Sequence, residues 1–174
     1  MIKMRIMKYV LMLLLVVGFF SCGDDDPAAS EFTGLSTTYT LTNVSAQYTG
    51  GGSITFRERV DGAVTIEVEM QSTGSAGSHP VHIHYGTFDV VDAEMAALLS
   101  PVDAATGISS SILSQLLDGT TVSYNDLLQF DGSIKIHLDD GPNKSVVLAA
   151  VNIGINAGIN SQDIAVCSSS KESI

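Results

Sequence analysis

The chain contains no tryptophan, and only five tyrosines and six phenylalanines among 174 residues. Surfaces that grip sugars or single-stranded nucleic acid depend on stacked aromatic rings, so both ligand classes are disfavoured. Basic residues are equally scarce, with eight Lys and Arg against 19 Asp and Glu. Lys3, Arg5 and Lys8 lie in the first 21 residues, which hold no acidic residue. The remaining 153 residues therefore carry five basic against 19 acidic groups, a formal charge of −14. Nucleic acid is excluded as a partner, because phosphate contacts need clustered Lys and Arg. An acidic surface favours solubility and attracts cations in general without selecting one. The apolar stretch from Tyr9 to Phe20 is too short to span a bilayer comfortably, which takes roughly 20 residues. No phosphate-cradling glycine loop precedes a helix, and no Ser-His-Asp arrangement follows from the spacing.

The N-terminus reads as an address. A basic n-region leads into the apolar stretch, which ends at Phe19-Phe20-Ser21-Cys22. A small residue followed by cysteine at this place resembles a bacterial lipobox, although the large Phe20 departs from the usual pattern. The resemblance implies a signal peptide over 1–21, with cleavage before Cys22 and lipidation of its thiol. Asp24, Asp25 and Asp26 follow at once. Adjacent carboxylates repel one another and cannot join a core, so 22–33 is expected to be a solvated tether. An acidic run after the lipid cysteine also resembles the surface-export signal of Bacteroidetes lipoproteins. It implies an outer-membrane lipoprotein exposed at the cell surface, the periplasmic face being the alternative. The membrane would then be a partner through the lipid alone. Cys167 is the only other cysteine. With Cys22 lipidated no intramolecular disulfide can form, and the fold must stand on its core.

From residue 34 to 165 the pattern is that of one all-β domain, followed by a polar tail over 166–174. Short alternating runs rich in Thr, Val, Ile and Ser are separated by turn signals. Ser53 to Arg57 alternates, and Asp61-Gly62 is a hairpin signal. Val64, Ile66, Val68 and Met70 face one way, and Thr65, Glu67 and Glu69 the other. Asp92 to Leu99 fits either a helix ended by Ser100-Pro101 or a strand. Ser123 to Leu128 fits a short helical turn in which Ser123 and Asp126 form a capping box. Ser145 to Ile153 is a continuous apolar run typical of a buried strand. The expected architecture is a β-sandwich or flattened barrel with meander or Greek-key connections and one or two helical turns.

Histidine is confined to two of these runs. His79, His82 and His84 lie in Ser78 to Gly86, and His137 lies in Ser133 to Asp140. Residues two apart share a face of a strand. Val81, Ile83 and Tyr85 take one face, and His82 and His84 the other. Ile134, Ile136 and Leu138 likewise oppose His137, which shares its face with Lys135 and Asp139. The apolar faces belong in the core, so His82, His84 and His137 are expected on the outer face. Two imidazoles at i and i+2 are about 6.5–7 Å apart along the strand, which lets both converge on one ion at bonds of about 2 Å. If the two strands are neighbours, His137 completes a three-nitrogen site with one position open. Nitrogen ligands suit copper or zinc rather than calcium or magnesium. His79 has the opposite phase, but Pro80 interrupts the strand there and leaves it a candidate fourth ligand.

His82-Ile83-His84-Tyr85-Gly86 is similar to the His-x-His strand that supplies two copper ligands in copper/zinc superoxide dismutases. Ile136 to Asp140 resembles the later segment that supplies another. The stretch from Thr37 to Gly154 also resembles the CHRD domain, whose His-x-x-His-Ile-His-x-Gly motif it shares. These resemblances imply a dismutase-like Greek-key sandwich and a single copper, with zinc as the alternative. They also mark what is missing. No histidine lies between Tyr85 and Ile136, where the dismutases place their bridging histidine and remaining zinc histidines. No arginine stands near Val147, where theirs guides superoxide. The expectation is a copper-handling or redox-related lipoprotein domain without dismutase machinery, and whether it catalyses anything stays open. The alternatives are a surface interaction module without a physiological metal and, third, a superoxide dismutase. No protein partner can be named.

Overall fold

The computed structural model describes residues 30–74 and 76–159. The expected signal peptide over 1–21, Cys22, most of the expected acidic tether, Cys167 and the expected polar tail lie outside the described residues. The first sheet contains β1 (Phe32–Thr40), β3 (Gly52–Arg59), β4 (Val64–Met70) and β7 (Ile108–Leu113), in the order β1-β3-β4-β7. The second contains β2 (Thr42–Asn43), β5 (Ser78–Tyr85), β6 (Met95–Asp103), β8 (Asp131–His137) and β9 (Val147–Gly154), in the order β2-β9-β8-β5-β6. Every pairing is antiparallel. One short helix, α1 (Tyr124–Leu128), precedes β8.

The two sheets close on one apolar layer. Ile54, Phe56, Val64, Ile66 and Val68 from the first sheet meet Val81, Ile83, Ile134, Ile136 and Ile153 from the second, all essentially inaccessible to solvent. Burial of each such side chain contributes about 1.5–3 kcal/mol. With no disulfide among the described residues, this layer is what holds the sheets together. The all-β sandwich expected from the alternation is therefore the observed architecture.

Local signals act as the sequence indicates. The β3–β4 turn places Gly62 at φ 86°, a conformation that costs glycine little. The Asp61 carboxylate accepts from the Ala63 N–H at 3.1 Å. At α1 the Ser123 hydroxyl accepts from the Asp126 N–H, and the Asp126 carboxylate accepts from the Ser123 N–H, so the capping box is complete.

Three features differ from the sequence reading. β1 begins at Phe32, inside the stretch assigned to the tether. The Phe32 ring lies under the Arg57 guanidinium at 3.8 Å, a cation–π contact that ties it to the sheet. Asp92 to Leu99 is not a helix: β6 starts at Met95 and continues through Ser100-Pro101 to Asp103. The ladder absorbs the proline through an irregularity, because His79 pairs with Val102 while Val81 pairs with Leu99. β7 is a strand where the residue pattern predicts none. Its serines alternate between buried and exposed positions without the apolar signature of a strand.

Candidate metal centre

The site is built by the pairing of β5 with β8. Val81 lies opposite Ile136, His82 opposite Lys135, and His84 opposite Ser133. Opposed residues project to the same side, so His82, His84, Lys135 and His137 share the face turned away from the core. The imidazoles gather there, with ring centroids 4.9 Å apart for His82 and His137, 5.8 Å for His82 and His84, and 6.1 Å for His84 and His137. One ring nitrogen from each lies within 4.8 Å of the others, a grouping that could hold a metal ion.

The face is outer but not bare. The β5–β6 connection, residues 86–94, folds over it and is pinned by three hydrogen bonds to side chains of that face. The His84 Nδ1–H donates to the Ala93 carbonyl at 2.9 Å. The Lys135 ammonium donates to the Val90 carbonyl at 2.9 Å. The Phe88 N–H donates to Asn152 Oδ1 at 2.8 Å. Under this cover His84 is 8 % exposed and Lys135 7 %. Phe88, Val90 and Val91 together with His82, His84, Lys135 and His137 line an open pocket of about 620 Å³.

The second connection orients His137. Its Nδ1–H donates to the Lys144 carbonyl at 2.7 Å. That carbonyl is placed by a turn around Asp139, whose carboxylate accepts from the Gly141 N–H, the Asn143 N–H and the Asn143 side-chain amide. Backbone bonds from Lys144 to Gly141 and from Val146 to Asn143 close the loop.

These contacts fix tautomers. A carbonyl can only accept, so His84 and His137 carry their protons on Nδ1 and keep the Nε2 lone pair free. Both Nε2 atoms are buried and have no hydrogen-bond partner. An unpaired buried acceptor costs free energy, and a metal ion would satisfy both. Anchoring of a ligand imidazole through its other nitrogen is the usual outer support of a metal site.

The electrostatics keep the rings neutral. Burial, followed by the neighbouring His137 and His84, pushes His82 down to about 4. Burial lowers His84 and His137 as well, opposed by their carbonyl partners. Burial also lowers the Lys135 ammonium, which Asp89 and Asp92 counteract.

His79 is not part of the group. It is 4 % exposed, and both its nitrogens are engaged: Nδ1–H donates to the Leu138 carbonyl at 2.9 Å, and Nε2 meets the Thr73 hydroxyl at 3.0 Å. Its phase on β5 holds, despite Pro80, and turns it away from the other three. Three contributors to the site escaped the sequence reading: the covering loop, the two backbone carbonyls and the buried state of Lys135. The apolar residues Phe88, Val90 and Val91 directly after Gly86 were the signal for the cover.

Comparison with family models, with curated proteins and with solved structures finds no match to this chain.

The lowered histidines set a pH window for the apo protein. A folded-state value below the unfolded value of about 6.5 means that the unfolded chain takes up protons first as pH falls. The stabilisation is full above about 6.5 and is lost as pH falls from there towards 4. The urea midpoint of the apo protein should begin to decline near pH 6.5, ahead of the loss from Asp61, Asp103, Asp118, Asp126 and Asp139, all held below the usual carboxylate value, which adds only below about pH 5. A midpoint that stays flat between pH 6.5 and about 5 would contradict neutral, clustered imidazoles.

Proposed function

We propose that this chain is an envelope lipoprotein whose β-sandwich binds one copper ion, with zinc as the alternative, through His82, His84 and His137. The observation that carries the reading is the pair of buried, unpartnered Nε2 atoms on His84 and His137, each ring held from behind by a backbone carbonyl. Three neutral imidazoles match the donor preference of copper and zinc, and copper is the tighter binder of the two for a given nitrogen site. The similarity of the two histidine segments to CHRD and dismutase strands points the same way. Bound copper would supply a Lewis-acidic, redox-active centre. The chain's own residues hold and orient it: the Ala93 and Lys144 carbonyls fix two ligands, and the 86–94 loop limits solvent access. The role is copper handling or a redox function rather than superoxide dismutation.

A second reading, a surface interaction module, is favoured by Val91 and Leu98, which are 84 % and 59 % exposed and lie respectively on the pocket rim and opposite His82. Metal titration separates the two in a soluble form beginning at Ser30, which contains the whole described fold. The copper reading requires one equivalent bound, with affinity reduced by about 100-fold or more in both His82→Ala and His137→Ala. Weak, unsaturable uptake that neither substitution changes would favour the interaction module instead.

The membrane part of the proposal rests on Lys3 to Cys22 and the aspartates after it. In the native host the full chain should fractionate with membranes and incorporate labelled fatty acid, and Cys22→Ala should abolish both. Release of the unsubstituted chain as a soluble, unlabelled protein would overturn the anchor.

A further inference from the structure

We infer that Met95 supplies a fourth, sulfur donor to the ion held by His82, His84 and His137, biasing the site toward copper in its cuprous state. This rests on the copper reading above and adds to it a ligand and an oxidation state.

The placement of Met95 comes from strand register. The β5–β6 ladder pairs Ile83 with Ala97 and His84 with Met95, so an irregularity skips Ala96 and brings the methionine opposite a ligand histidine. Directly opposed residues of an antiparallel pair hold their Cβ atoms about 4.5–5.5 Å apart on one face. Met95 accordingly borders the same pocket as the three imidazoles. The other methionine among the described residues, Met70, is a core residue at 7 % exposure. Met95 is only half-buried. Met95 also lines a second pocket, of about 480 Å³, together with Tyr85, Glu94, Leu117 and Asp118. Bordering two pockets and carrying three rotatable bonds, a methionine there has room to bring its thioether toward the imidazoles.

Two features of the pocket favour a soft ion of low charge. Thioether sulfur is a soft donor that selects copper(I). Every other donor offered by the trio is a neutral imidazole nitrogen, so the ligands themselves bring no negative charge to a divalent ion. Lys135, opposite His82 and buried under the loop, adds a positive charge on the same face. Coulomb repulsion from that ammonium is twice as large for a divalent as for a monovalent ion at the same place. Asp89 and Asp92 also line the pocket, but both are exposed to solvent, which screens their charge more than that of the buried Lys135.

The test compares the soluble form beginning at Ser30 with its Met95→Leu variant, a substitution that conserves volume and apolarity. Both are loaded with copper(I) without oxygen, examined by X-ray absorption at the copper edge, and titrated against a chromophoric copper(I) chelator. The expected result is a sulfur scatterer in the unsubstituted protein that disappears in Met95→Leu, with copper(I) affinity weakened about tenfold or more and zinc affinity changed much less. A nitrogen-only shell in the unsubstituted protein, or equal copper(I) affinity in the two, would overturn the role of Met95 while leaving the histidine site standing. Failure to take up copper in either oxidation state would overturn both.

Discussion

The pairing of β5 with β8 is the constraint on which the rest of the molecule depends. These strands are far apart in sequence, yet Val81 to Tyr85 run directly against Gly132 to Ile136. The pairing performs two tasks at once, because strand side chains alternate. Val81, Ile83, Ile134 and Ile136 go inward and supply the centre of the apolar layer. His82, His84 and His137 go outward and are brought within ligand distance of one another. A slip of one residue would send histidines into the core and isoleucines to the outer face. The burial that stabilises the sandwich is therefore the same interaction that fixes the geometry of the histidine group.

The outer face gains its chemical character from the two loops that cross it. Each contributes a backbone carbonyl to one histidine of the group, and these carbonyls decide which nitrogen is free. The first loop also covers part of the face, and the burial of the rings beneath the two loops lowers their basicity. Asp92, at φ 54° in the left-handed region, immediately precedes the Ala93 carbonyl that anchors His84. Aspartate tolerates this conformation better than most residues. Asp139 plays the equivalent part in the second loop by gathering three donors. Rigid strands thus set where the imidazoles stand, and loops set how they are turned.

The strands and the histidine face were legible in the sequence because both follow from alternation alone. The period-two pattern in β4, β5 and β8 gives the inward and outward sets without knowledge of the partner strand. Position along the chain does not reveal which strands are neighbours, so the convergence of His137 with His82 and His84 was conditional until the sheet order was known. β6 was ambiguous because Met-Ala-Ala-Leu-Leu favours a helix by local propensity. Tertiary pairing with β5 overrides that preference. The loop carbonyls left no trace in the residue pattern, since any residue carries a backbone carbonyl. His79 shows the limit from the other direction: a histidine in the motif run whose nitrogens are already occupied by Thr73 and Leu138.

The central claim is that His84 and His137 are held as Nδ1–H tautomers with Nε2 free for a shared ion. The most direct measurement is a long-range proton–nitrogen NMR spectrum of the four histidines at pH 7, before and after one equivalent of diamagnetic copper(I) or zinc. The expected result is protonated Nδ1 and bare Nε2 on both residues in the apo protein. On metal addition the ring nitrogens of His82, His84 and His137 should shift together while those of His79 stay in place. Nε2–H tautomers in the apo protein, or a metal response that omits any of the three or includes His79 equally, would contradict it.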